Sequence, residues 1–261
     1  MQKEGFGISP IPSPSPYTVS NVQVSPQNTL TASLTNAQPN NHIAASLNFE
    51  MTFYQDGLAQ VVLSQTGEDP RFAISSTGLP VVWEQLVQVQ NLASNVTIGA
   101  SDVTVDLYSS DLKNHWQYQV TYNPFRIYLY VNNVLTTIVN NEDSLRYAAL
   151  DAPHNTYMDG YDELIEGYEV GIGFVFSSEY VYGLPMRAMS SFPLQQNENY
   201  GLFNQDKPYH PYGTLDPLYG NWPYITSHEA NMDASAVWMN SSETYVNVEP
   251  VTNPITGLPS T

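Results

Sequence analysis

Apolar and polar residues alternate along much of this chain. Leu47, Phe49, Met51 and Phe53 are separated by single polar positions, the period of a strand with one buried face. Asp56-Gly57 then supplies a tight turn, and residues 58–63 return as a second strand. Val103, Val105 and Leu107 repeat the alternation. So do Phe125, Ile127, Leu129 and Val131, with Tyr128 and Tyr130 on the other face. Asn132-Asn133 suits positive φ and turns this strand back into residues 134–139. Residues 168–176, 234–239 and 244–248 read as further strands. Residues 81–89 are the one helix-compatible run, and their β-branched side chains favour a strand. Many short strands with turn signals between them predict an all-β chain, a sandwich or a barrel.

The ends differ from this pattern. Residues 1–16 finish in Ser9-Pro10-Ile11-Pro12-Ser13-Pro14-Ser15-Pro16. Proline at alternate positions removes ladder donors and favours an extended polyproline arm. Residues 249–261 are rich in Pro, Gly and Thr and read as a C-terminal tail or linker. Residues 17–248 between them are expected to form a single β-sandwich domain. Within it, Asp151, Asp159, Asp162, Glu163, Glu166 and Glu169 interrupt the alternation, so residues 151–169 are expected to be a long surface connection.

Charge narrows the function classes. Seven Lys and Arg against 25 Asp and Glu leave a formal charge of −18 at pH 7. Such a surface repels phosphate backbones and anionic lipid, so nucleic acid is excluded as a partner. Without cysteine there is no disulfide, no thiolate nucleophile and no thiolate metal site. No apolar run reaches the length of about 18 residues that a membrane-spanning helix needs. The N-terminus has no apolar segment of the kind a signal peptide carries.

Catalytic patterns are scarce. His42, His115, His154, His210 and His228 are far apart, and none lies in an H-x₃-H or H-E-x-x-H pattern. No metal and no cofactor are expected. There is no G-x-S-x-G elbow and no phosphate-cradling Gly-rich loop. Asn95-Val96-Thr97 and Asn240-Ser241-Ser242 are acceptor triplets for N-glycosylation, which requires a secretory route.

From residue 123 onward the chain carries five linked phrases. They are Asn123-Pro124-Phe125-Arg126-Ile127, Tyr182-Gly183-Leu184-Pro185, Leu202-Phe203-Asn204-Gln205-Asp206, Asp216-Pro217-Leu218-Tyr219-Gly220-Asn221-Trp222-Pro223 and Trp238-Met239-Asn240-Ser241-Ser242-Glu243-Thr244. In this order they resemble the N-terminal β-domain of family 31 glycoside hydrolases, the α-glucosidase family, and in particular the glucosidase II α-subunit type. The resemblance covers roughly residues 120–248. Its glycines and prolines have physical roles. Gly183 and Gly220 each follow a Tyr where a residue without Cβ permits a sharp turn, and Pro185 and Pro223 are expected to end ladders.

The resemblance implies a large two-sheet antiparallel β-sandwich of the galactose-mutarotase type. It implies that an Arg closes the strand in the first phrase. It also implies that the hydrolytic carboxylates sit on a following barrel domain, whose Trp-x-Asp-Met-Asn-Glu type phrase is absent from this sequence. The chain by itself is therefore expected to be noncatalytic. Asp206 matches a family Asp on a loop over the barrel mouth, where it accepts hydrogen bonds from sugar hydroxyls; a loop Asp capping its own turn is the plainer alternative. Met186-Arg187 stands where the family commonly has an acidic residue, and Lys207-Pro208-Tyr209-His210 is not a close match.

The expected role is a noncatalytic N-terminal domain or subunit of an α-glucosidase-like protein that docks a separate or missing barrel domain, with a separate catalytic barrel chain and carbohydrate as the candidate partners. Tyr209, Tyr212, Tyr219, Trp222 and Tyr224 are the candidate interface residues. The alternatives are a self-assembling structural glycoprotein subunit and a carbohydrate-binding module. The expected location is the secretory pathway or the extracellular space rather than the cytoplasm.

Overall fold

A computed structural model describes residues 16–25, 28–38, 43–68, 89, 92–148, 170–206, 212–220, 222–228, 233–237, 244–252 and 259–260. Its strands are β1 (Tyr17–Val24), β2 (Thr29–Asn36), β3 (Ser46–Phe53), β4 (Ala59–Gln65), β5 (Val96–Ile98), β6 (Asp102–Tyr108), β7 (His115–Tyr122), β8 (Phe125–Val131), β9 (Val134–Val139) and β10 (Arg146–Tyr147). They continue with β11 (Val170–Gly171), β12 (Phe174–Phe176), β13 (Val181–Gly183), β14 (Glu198–Leu202), β15 (Tyr224–His228), β16 (Asp233–Val237), β17 (Thr244–Val248), β18 (Val251–Thr252) and β19 (Pro259–Ser260). The chain divides into two compact units. The first holds β1 to β7, the start of β8, β10 and β11, and the second holds the end of β8, most of β9 and β12 to β19.

In the first unit β1 to β4 form an antiparallel meander. The predicted alternation is realised in β3, where Leu47, Phe49, Met51 and Phe53 are all buried. A 3-10 turn over Gln55–Gly57 carries the chain into β4, with Gly57 at φ 78 and the Tyr54 N–H donating to Leu58 O at 2.9 Å. β5, β6, β7 and β8 follow as successive neighbours of a second sheet. Their inward rows are Val103, Val105 and Leu107, then Tyr118 and Val120, then Phe125 and Ile127, all buried. The two inward surfaces meet edge to face. Phe49 and Phe125 lie 5.6 Å apart between ring centroids, and Phe53 and Tyr118 5.4 Å apart. Each such side chain contributes about 1.5–3 kcal/mol by leaving water, and the ring geometry adds about 0.5–1.5 kcal/mol.

In the second unit Asn132 and Asn133 do take positive φ, 50 and 65. They turn residues 129–131 back into β9, which neighbours β12. A second sheet has the order β13-β15-β16, and β14 pairs with β17. Phe176, Val181, Leu184, Leu194, Tyr200, Leu202, Ile225 and Val248 form the buried cluster beneath these strands.

Four expectations are corrected. Residues 170–176 are two short strands, β11 and β12, rather than one. Gly173 leaves the ladder because its N–H donates to Ser144 Oγ and its carbonyl accepts from the Asn140 N–H, both at 2.8 Å. Arg126 does not close a strand: Asn123-Pro124 is the turn between β7 and β8, and Arg126 is the second residue of β8. Pro223 precedes β15 instead of ending a ladder, a position that tolerates a missing N–H. Leu129, read as part of the buried row of β8, is only half-buried. Residues 1–15, 81–88, 151–169 and 253–258 of the sequence reading lie outside the described residues. No helix among the described residues is long and apolar enough to cross a membrane.

Candidate functional site

Three loops of the second unit are stitched together by main-chain hydrogen bonds. β13 ends at Gly183, at φ 127, where a Cβ would collide with the Tyr224 carbonyl oxygen. Only glycine accepts both constraints. The chain then runs alongside the segment that leads into β15. The Leu184 N–H donates to Tyr224 O at 2.9 Å, and the Trp222 N–H donates to Pro185 O at 3.0 Å. The Met186 N–H donates to Gly220 O at 2.5 Å, and the Leu218 N–H returns to Met186 O at 3.1 Å. A further bond from the Gln205 N–H to Leu218 O, at 3.2 Å, adds the loop that carries Asp206.

Arg187 braces this assembly from below. Its Nε donates to Leu184 O at 3.0 Å, one terminal nitrogen to Leu215 O at 2.5 Å, and the other to Gly201 O. The guanidinium also lies 5.4 Å over the Tyr200 ring. Three carbonyls from three segments thus share one planar fork, a geometry that a lysine ammonium does not match. Burial pulls the Arg187 pKa down, while Tyr200 and the charge of Asp216 oppose that pull.

Asp206 and Tyr219 sit on the exposed side. The Tyr219 hydroxyl donates to Asp206 Oδ1. That hydrogen bond, then burial, then the carboxylate charge raise the pKa of the phenol. Trp222 is 62% exposed and Tyr224 39%. Gly220 lies between the Met186 thioether and the Trp222 indole. A carboxylate braced by a phenol, on a segment with exposed rings, has the chemistry for hydroxyl-bearing ligands: acceptors for hydroxyl groups and aromatic faces for C–H surfaces.

The structure brings Asp206 and Tyr219 into contact, and Trp222 and Tyr224 follow on the segment whose main chain is bonded to residues 184–186. Tyr212 is 80% exposed on a neighbouring turn, where the Gly213 N–H donates to Ala188 O at 2.6 Å. Tyr209 and Asn240 lie outside the described residues. Asn95 belongs to the first unit, at the end of a 3-10 turn over Leu92–Asn95. Gly220, unlike Gly183, has no positive φ; its constraint is the nearby Met186 sulfur. Arg187 and Met186 belong to the site although the sequence reading took them only as departures from the family. The scarcity of basic residues, seven in the chain, was the available signal that each has a particular place.

Other chemistry lies apart. In the first unit His115 Nε2 is 2.7 Å from Asp106 Oδ1, Gln117 Nε2 donates to the same oxygen at 3.0 Å, and the Tyr108 ring stacks on His115. These groups join β6 to β7 as a cross-strand polar ladder. Among the described residues no group of three or more His, Cys, Asp or Glu is placed to hold a metal ion.

A family model described as the glycosyl hydrolase 31 N-terminal galactose mutarotase-like domain matches residues 48–247. Neutral alpha-glucosidase AB of Dictyostelium discoideum is 32% identical over 93 residues, covering 33% of this chain and 10% of that protein. Glucosidase 2 subunit alpha of Saccharomyces cerevisiae is 29% identical over 149 residues, covering 48% and 15%. The chain spans between 10% and 24% of the length of the curated relatives it matches. A glucosidase II alpha subunit solved in a DNJ-bound form superposes with a TM-score of 0.70 at 17% identity, over 96% of this chain and 30% of that one. An ER glucosidase II complex of catalytic subunit and regulatory-subunit binding domain gives 0.69 at 17% identity, over 97% and 31%. At that identity the likeness carries the fold, an antiparallel β-sandwich of the galactose-mutarotase type.

Proposed function

The chain belongs to the glycosyl hydrolase 31 family through its N-terminal galactose mutarotase-like domain, and from that premise we propose that it is the noncatalytic flank of an α-glucosidase-like protein. Its loop cluster docks a catalytic barrel, carried on a separate chain or elsewhere in the same polypeptide. The barrel supplies the two carboxyl groups that glycoside cleavage needs. Asp206, held by Tyr219, accepts hydrogen bonds from sugar hydroxyls at the barrel mouth. By the same reading the chain works in the secretory pathway.

One observation carries this reading: three of the family-like segments, at residues 184–186, 205–206 and 218–222, are tied together by hydrogen bonds, and the exposed Asp206, Tyr219, Trp222 and Tyr224 lie on or next to them. Exposed aromatic residues are enriched where proteins meet partners, and they dominate binding energy there.

The test is reconstitution of the chain with the barrel-bearing polypeptide of the same source. A stoichiometric complex is expected by light scattering, and Trp222→Ala should weaken it by about 30-fold or more, the scale of an interface hot spot. On the complex, Asp206→Asn should weaken binding of an α-linked glucose disaccharide and leave the complex intact. Glucose release by the chain alone, abolished by one Asp or Glu replacement, would overturn the proposal. So would ordered polymers of the chain alone with no affinity for the barrel.

A further inference from the structure

The acceptor triplet Asn95-Val96-Thr97 leads into a three-residue edge strand. Among the described residues β5 is the terminal strand of its sheet, and it pairs with β6 through Val96↔Val105, Thr97↔Thr104 and Ile98↔Val103. Thr97 is exposed, and Ile98 is 55% exposed. The strand is held in place from its start. Leu92 is fully buried, and its N–H donates to Asn28 Oδ1 at 3.4 Å. Asn95 closes the 3-10 turn that follows Leu92 and is half-buried at the point where the chain enters the strand.

Exposed sheet edges invite pairing with other chains, and proteins blunt them with short strands, charge, proline or a cover. Residues 92–101 contain no charged residue and no proline. The edge is short and uncharged, with one apolar side chain, Ile98, standing in solvent. A bulky hydrated group at its entrance adds a cover to the shortness of the strand.

We infer that Asn95 is an N-glycosylation site, and that its glycan shields the β5 edge. The inference rests on the secretory reading above. The donor is a lipid-pyrophosphate-linked oligosaccharide. Asn95 Nδ2 forms a bond to C1 of the first sugar as the bond from C1 to the pyrophosphate oxygen breaks. One amide proton passes to a base, the lipid pyrophosphate leaves, and no electrons are transferred. Thr97 supplies the hydroxyl that the acceptor triplet requires.

The test uses the full chain behind a cleavable secretion signal in a glycosylating eukaryotic host. Both the secreted and the membrane-enclosed intracellular fractions are collected. On a chain that carries Asn240→Gln to silence the second acceptor triplet, amidase removal of the glycan should leave Asp at position 95, read by peptide mass, and lower the intact mass by one glycan. Asn95→Gln and Thr97→Ala should abolish that shift, whereas Thr97→Ser should retain it. The unglycosylated variants should also self-associate at lower protein concentration in light scattering. Asn95 recovered as the unmodified amide from both fractions overturns the site. Glycosylation with no change in self-association overturns the shielding role. Residence of the natural protein in the cytoplasm would overturn the secretory reading separately, since the added signal bypasses the natural address.

Discussion

The phenol of Tyr219 donates its proton to the carboxylate of Asp206, across 13 residues of sequence. The bond joins two of the three loops that make the candidate site. It also raises the pKa of the phenol. The carboxylate favours the neutral phenol, because ionisation would lose the hydrogen bond and set two anions side by side.

Replacement of Asp206 by Asn should therefore lower the Tyr219 pKa toward the ordinary phenol value of about 10. The measurement is an NMR titration of ring-labelled tyrosine, assigned with Tyr219→Phe. An unchanged Tyr219 midpoint in the Asp206→Asn protein would show that the pair does not form in solution.

Arg187 should matter more to the second unit than any exposed residue of the site. Arg187→Met strands the carbonyls of Leu184, Gly201 and Leu215. Each buried acceptor left unsatisfied costs about 1–3 kcal/mol. Arg187→Lys restores one charge without the fork and should fall between wild type and Met. Chemical denaturation reads the order, and equal stability of all three would remove Arg187 from its bracing role.

Asn140 is fully buried at φ 63. Its Nδ2 donates to Phe125 O at 2.7 Å, and its Oδ1 accepts from the Leu145 N–H at 2.5 Å. Asn140→Gly keeps the backbone and loses these bonds, a cost of about 2–4 kcal/mol for two buried groups. Asn140→Ala adds left-handed strain and should be worse by about 1 kcal/mol. Thermal unfolding of the pair separates the two effects; a glycine variant as unstable as alanine would assign the whole loss to the side chain.

High pH should open the first unit. Burial pushes the Tyr17 phenol up to about 12, and burial raises the Tyr118 phenol as well. Each folded pKa lies above its unfolded value, so the stability is present in full below about pH 10. It is lost as pH rises from there through the folded value. The unfolding midpoint should fall steeply between about pH 10 and 12. Tyr17→Phe should flatten that fall while costing about 1 kcal/mol near neutral pH, since it also removes the bond to Ala44 O at 2.8 Å. An unaltered alkaline slope in Tyr17→Phe would rule out its burial as the cause.

The strands with apolar inward positions were legible at once: β3, β6 and β8 stand where alternation put them, and β9, with Thr136 and Thr137 buried, stands where the Asn132-Asn133 turn put it. β7 carries the same signal in Trp116, Tyr118, Val120 and Tyr122, although the sequence reading passed over it. β2 is harder, because Asn36 is buried on the row of Leu30 and Leu34 and Thr29 is buried on the other face, and polarity there hides the period. Gly183 was legible as a turn glycine, but its second constraint, the carbonyl of Tyr224, belongs to another strand.

What the sequence by itself determined is the β class, the turns at Gly57 and Asn132-Asn133, and the family, because strand faces and turn chemistry are local properties of neighbouring residues. The pairing of Tyr219 with Asp206 and the reach of Arg187 to Gly201 and Leu215 were decided only by tertiary structure. Those bonds span 13, 14 and 28 residues, and a hydrogen bond to a distant carbonyl or carboxylate leaves no period in the chain. It forms once packing of the apolar faces has brought the loops together.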